Sequence, residues 1–120
     1  MNRENIVHDI VSVSITALAD SASQRISLRE GQCIGVIVYS DGTETADNNL
    51  ISLGLKDASK GFVEEPVHVH NYQHPTNGYT GLRPVNFIAG RTIFCEFSAI
   101  KAVTAQTNFQ VVFVIDQSQD

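Results

Sequence analysis

Residues 11–16 read VSVSIT, with Val11, Val13 and Ile15 alternating with Ser12, Ser14 and Thr16. Successive side chains of an extended strand point to opposite faces, so this hexapeptide puts apolar groups on one face and hydroxyls on the other. A helix would scatter both sets around its circumference. The period of two decides the fold class because it recurs along the chain. QRISL (24–28) repeats it briefly through Ile26 and Leu28, and NLISLGL (49–55) aligns Ile51, Leu53 and Leu55 on one face. PVHVHNY (66–72), PVNFI (84–88) and RTIFCEFSAI (91–100) read as further strands. Two stretches are apolar nearly throughout, CIGVIVY (33–39) and NFQVVFVI (108–115). Such runs suit strands covered on both faces.

Turn chemistry separates these segments: SDG at 40–42, KDASKG at 56–61 and HPTNGYTG at 74–81,. TETADNN (43–49) reads as a loop. TALADSASQR (16–25) contains helix formers, but Ser and Asp crowd it and its apolar face is narrow, so one helical turn is the most it supports,. About eight short strands spaced by turns imply an all-β fold, a single-domain antiparallel β-sandwich, with the jelly roll as the expected form. An immunoglobulin-like sandwich fits less well, since the chain has no tryptophan and no Cys-Trp-Cys arrangement,. The domain is expected to fill 1–120, with residues 1–8 and 116–120 as flexible arms.

At 120 residues the chain can bury roughly two thirds of its unfolded surface, enough to fold without a metal or disulfide,. Charged residues make up only 18% and the net charge is −5, so the surface leans on uncharged polar groups, which are cheaper to desolvate than ions,. Without a Lys/Arg cluster, the chain is not expected to bind nucleic acid; Arg25 and Arg29 are the closest basic pair, and Glu30 adjoins them,. MNRENIVHDI lacks the basic and apolar regions of a secretory signal, and no apolar run approaches the ~18 residues of a membrane helix,. A cytoplasmic product without membrane insertion is therefore expected. Cys33 and Cys95 sit inside apolar runs, where reduced, slow thiols are expected,.

PVHVHNYQHP (66–75) holds three of the four histidines. His68 and His70 share one face of an extended strand, roughly 6.6 Å apart, with Val67 and Val69 on the other,. His74 follows in the loop. Grouped imidazoles can bind a transition metal. The stretch resembles the first motif of the cupins, metal-binding jelly rolls: Gly61, six residues, His68-Val69-His70, three residues, His74 in place of the cupin glutamate, then Gly81. No histidine follows His74 to supply the second motif, and His8 is the only other one. The plainer expectation is that the valines face the core while the histidines and Tyr72 form an outward polar strand face, with no metal and no cofactor. If a metal binds, His68, His70 and His74 would hold it.

Other chemistry is sparse. DGTETADNN (41–49) collects Asp41, Glu44 and Asp47 without the spacing of a calcium loop,. No nucleophile elbow or phosphate-cradling glycine motif occurs,. Glu96, between Phe94 and Phe97, would need a partner such as Arg91 or Lys101 if its face were buried,. No catalytic residues are expected. A carbohydrate- or protein-binding sandwich, with Tyr72 and Tyr79 as an exposed platform, is a further alternative.

The stretches ITALADSASQRISLREGQCIGVIVY (15–39), NLISLGLKD (49–57), RPVNFIAGRTIFCEFSAI (83–100) and FQVVFVI (109–115) carry a likeness of architecture. Together they resemble the single jelly-roll proteins of tailless icosahedral phages, especially minor capsid and vertex proteins. That resemblance implies a non-enzymatic building block of the virion, made in the host cytoplasm, whose partners are copies of itself and other virion proteins. The residues add an independent expectation. If Val111, Phe113 and Ile115 face the core, Val112 and Val114 lie on the opposite face of the last strand, and Ile37 belongs to a strand with the same apolar surplus. These three form the expected interface, buried against another subunit or under the N-terminal arm.

Overall fold

The structure is a computed structural model that describes residues 5–41, 49–69, 72 and 83–118, with Arg83 described by its backbone alone. Its elements are β1 (Ile6–Ile15), β2 (Ser21–Ser27), β3 (Gln32–Ser40), β4 (Ile51–Asp57), β5 (Gly61–His68), β6 (Arg83–Ile88), β7 (Thr92–Ala99) and β8 (Thr107–Asp116). The strands form two antiparallel four-stranded sheets, a first in the order β1-β8-β3-β6 and a second in the order β2-β7-β4-β5. No helix of the described residues is long and apolar enough to cross a membrane.

The strand order has a simple origin. The first strand pairs with the last, the second with the seventh, the third with the sixth and the fourth with the fifth. A chain doubled back on itself makes those four pairs; rolling it up adds β3·β8 and β4·β7. This is a jelly roll.

The alternation read from VSVSIT holds: Val13 and Ile15 are buried while Ser12, Ser14 and Thr16 are exposed. Ile51, Leu53, Leu55, Ile93, Cys95 and Phe97 supply the core from the second sheet. Val36, Val38, Phe109, Val111, Phe113 and Ile115 meet them from the first. Phe97 and Phe109 stack across the space between the sheets with ring centroids 4.5 Å apart. An aromatic pair of this kind adds about 1 kcal/mol beyond area burial.

Three departures from the sequence expectations have local causes. Residues 6–8 and 116, expected in flexible arms, are paired: Ile6 faces Asp116 and His8 faces Val114. The N-terminal residues 6–8 thus lie in the first sheet and do not cover its outer face. Residues 21–23, in the 16–25 stretch that supports at most one helical turn by sequence, form the start of β2. Pairing with β7, with Ala22 facing Phe97 and Gln24 facing Cys95, supplies hydrogen bonds that outweigh a weak local preference,. β5 starts at Gly61, five residues before the expected Pro66. It is an edge strand, where a missing N–H is tolerated,.

Gly31, in the β2–β3 turn, has φ +141, and a Cβ there would stand 2.6 Å from the Asp116 carbonyl oxygen. Only glycine lets the turn pass the end of β8 so closely. A bulge between Cys33 and Gly35 resets the phase of β3 against both neighbours. Cys33, Val36 and Val38 can therefore all reach the core,.

Candidate assembly interface

β8 lies between β1 and β3, so its outward residues Gln110, Val112 and Val114 each centre a row across three strands. Register fixes the rows from one end to the other: Ser14–Asn108, Ser12–Gln110–Tyr39, Ile10–Val112–Ile37, then His8–Val114–Gly35, which Pro84 of β6 extends. No Asp, Glu, Lys or Arg belongs to these rows; Asp41 and Asp116 stand at the two ends. The middle is apolar. Val112 and Val114, on the central strand, are only 7% and 6% exposed, while Ile10 is 54% exposed and Ile37 half-buried. Val111, Phe113 and Ile115 point into the core, as their alternation requires. The expected interface residues Val112, Val114 and Ile37 therefore share the outer face of the first sheet.

The outer face of the second sheet has another character. Register aligns Arg25, Phe94, Lys56 and Phe62 in one row, with the Lys56 ammonium 5.9 Å from the Phe62 ring centroid. The neighbouring row joins Ser23, Glu96 and Gly54. Ser23 donates to the Glu96 carboxylate, so this acid faces outward and is held by a hydroxyl, not by Arg91 or Lys101. Arg91 bonds Asp57 at 2.6 Å instead. The Ser59 backbone N–H, then the Arg91 guanidinium, hold the Asp57 carboxyl down at about 2. Phe62 and Pro66 lie over Gly54, whose absent side chain leaves them room, and flank a shallow groove of about 310 Å³.

The histidine stretch is brought together only in part. His68 ends β5 opposite Ser52, which alternates with the buried Ile51 and Leu53, so His68 belongs to the outer face of the second sheet. Val67 packs against the core and Val69 is part of it, as the strand-face expectation requires. His70 and His74 lie outside the described residues. Among the described residues no three His, Cys, Asp or Glu side chains converge as a metal site. Glu44, Asp47 and Tyr79 also lie outside them. Tyr72, expected outward beside the histidines and on an exposed platform, is instead fully buried, with its hydroxyl donating to the Leu53 carbonyl at 3.3 Å. Buried in this way it cannot serve as a binding platform.

Cys33 and Cys95 are free and buried, one in each sheet. Burial pushes their thiols up to about 11 and about 12. Of the nearest basic pair, Arg29 is committed to Asp9, donating to its carboxylate at 2.8 Å. It also donates to the His8 carbonyl, tying the β2–β3 turn to edge strand β1.

No family model matches the chain, and no curated protein matches it. Among solved structures it is similar to the capsid of cyanophage Pam1, with a TM-score of 0.55 and 19% identity, over 95% of this chain and 86% of that one. It is also similar to a mitogen derived from Yersinia pseudotuberculosis, with a TM-score of 0.49 and 10% identity, over 95% and 90%. At these identities the likeness is one of fold.

Proposed function

We propose that this chain is a non-catalytic structural protein of a virion, a minor capsid or vertex component that associates with copies of itself. One observation carries the reading: the apolar row Ile10–Val112–Ile37 at the centre of a sheet face whose four central rows carry no formal charge. Burying that row against a second copy removes apolar surface from water without stripping ions of their hydration. The fold shared with the Pam1 capsid supports the same reading. Other proteins of the virion would be its further partners.

Size-exclusion chromatography with light scattering tests this directly. The wild type is expected to elute as an oligomer. Val112→Lys puts a charge into the contact, and the oligomer should dissociate while β-rich circular dichroism persists. A wild type that is monomeric over a wide concentration range would sink the proposal. Outright unfolding of the variant would instead place Val112 in the monomer's own core.

A further inference from the structure

Beyond the apolar rows, the outer face of the first sheet ends in an open groove of about 480 Å³, lined mainly by polar residues, that self-association does not explain. Six side chains define its chemistry: Ser12, Ser14, Tyr39, Asp41, Asn108 and Gln110. Tyr39 is 47% exposed and stands in one row with Gln110 and Ser12. With strands ~4.8 Å apart, that row spans roughly 10 Å. An aromatic ring, a planar amide and a hydroxyl thus lie side by side on a rigid sheet. Neither Ser12 nor Gln110 has a side-chain partner among the described residues.

The adjacent row is already fixed in place. Ser14 donates to the Asn108 side-chain carbonyl at 2.7 Å, and Gln106 donates to the same oxygen at 2.8 Å. The Asn108 amide nitrogen in turn donates to the Asp41 carboxylate at 2.8 Å, and the Asn108 backbone N–H reaches the same oxygen. These bonds orient the amide before any ligand arrives, which lowers the ordering penalty of binding.

Among the described residues the groove holds one carboxylate, Asp41, and no Lys or Arg lines it. A phosphate or carboxylate would meet repulsion there, and a nucleotide is disfavoured for the same reason. An apolar ligand would leave the amides and hydroxyls unpaired. An uncharged sugar satisfies both conditions, with C–H groups for the Tyr39 ring and hydroxyls for Ser12, Asn108, Gln110 and Asp41.

We propose that this groove binds an uncharged oligosaccharide, with Tyr39 as the stacking platform and Gln110 and Asn108 as the orienting amides. The site is separate from the apolar rows, so binding and self-association should respond to different substitutions.

Saturation-transfer NMR, which works at any oligomer size, tests this with maltohexaose, cellohexaose and a neutral galacto-oligosaccharide at up to about 10 mM. At least one should receive saturation from the wild type. Tyr39→Ala should weaken that binding about five- to tenfold, the worth of one lost stacking contact. Gln110→Ala should weaken it too, and Phe62→Ala on the opposite sheet should leave it unchanged. Val112→Lys should disperse the oligomer and keep the binding. Three results would each overturn the proposal: no transfer to any of the three sugars, binding unaffected by both Tyr39→Ala and Gln110→Ala, or dissociation of the oligomer by Tyr39→Ala. The last would make the groove the rim of the assembly contact.

Discussion

The two sheets share one core, yet their outer faces have diverged. On the first sheet, neighbouring strands place Ile10, Val112 and Ile37 side by side, and its four central rows carry no formal charge. On the second, the equivalent positions are Arg25, Phe94, Lys56 and Phe62, with Ser23 and Glu96 alongside. Inner faces must both be apolar because they meet each other. Outer faces answer only to what lies outside. A charged outer face resists docking, since each ion must lose its water; an uncharged one does not. The contrast therefore marks the first sheet as the side that can be covered.

If the sheets differ only outside, damage to the core must hit both. Phe97→Ala removes the ring that stacks on Phe109 between the sheets, and about 3–5 kcal/mol of stability should be lost in urea denaturation,. A loss under ~1 kcal/mol would mean that the sheets do not depend on a common core.

A matched pair of lysines tests the outer faces themselves. Val112→Lys on the first sheet should disrupt assembly by several kcal/mol. Ser98→Lys, on an exposed position of the second sheet, should leave the oligomer intact and stability within about 0.5 kcal/mol,. Equal dissociation by both would erase the distinction between the faces.

A smaller effect depends on pH and has a source in each sheet, since hydrogen bonds from Ser118 hold the Asp116 carboxyl of the first sheet below its ordinary value as well. Asp57 closes β4 of the second sheet and is held at about 2, below its ordinary 3.8. A depressed carboxyl contributes stability above its unfolded value and loses it as pH falls through the folded one. Thermal melts should thus show an acid-labile contribution fading between about pH 4 and pH 2, and Asp57→Asn should flatten that slope. An unchanged slope in Asp57→Asn would show that the tie to Ser59 and Arg91 does not report on folding.

The alternation in VSVSIT and NLISLGL made the class of fold readable, because burying one sheet face imposes a period of two whatever the neighbours are. The faces of β8 followed in the same way, with Val112 and Val114 outward and Phe113 inward. The start of β2 was not legible. Its outward side is Ser21, Ser23 and Arg25, and only the pairing with β7 makes that segment a strand. Pro66 concealed the true start of β5, since whether a proline ends a strand depends on its being at the sheet edge. Tyr72 looked like a surface residue beside two histidines. It is instead drawn inward by a hydrogen-bonded turn in which its N–H donates to the Val69 carbonyl and its own carbonyl accepts from Val38. The groove was the least visible element. Tyr39 and Gln110 are 71 positions apart in the chain, and only the β3·β8 register makes them neighbours.

The pairing of β1 with β8 brings the beginning and the end of the fold to one place. Ile6 faces Asp116, and the Gln117 N–H donates to the Asn5 carbonyl at 2.8 Å. Chain entering at Asn5 and leaving at Gln117 passes through a single point on the molecular surface. A short linker across that point would join the ends, and the β4–β5 turn at 58–60 offers an exposed site at which to reopen the chain,. The fold is thus suited to circular permutation. It could equally be spliced into a surface loop of another protein without parting the host's loop ends.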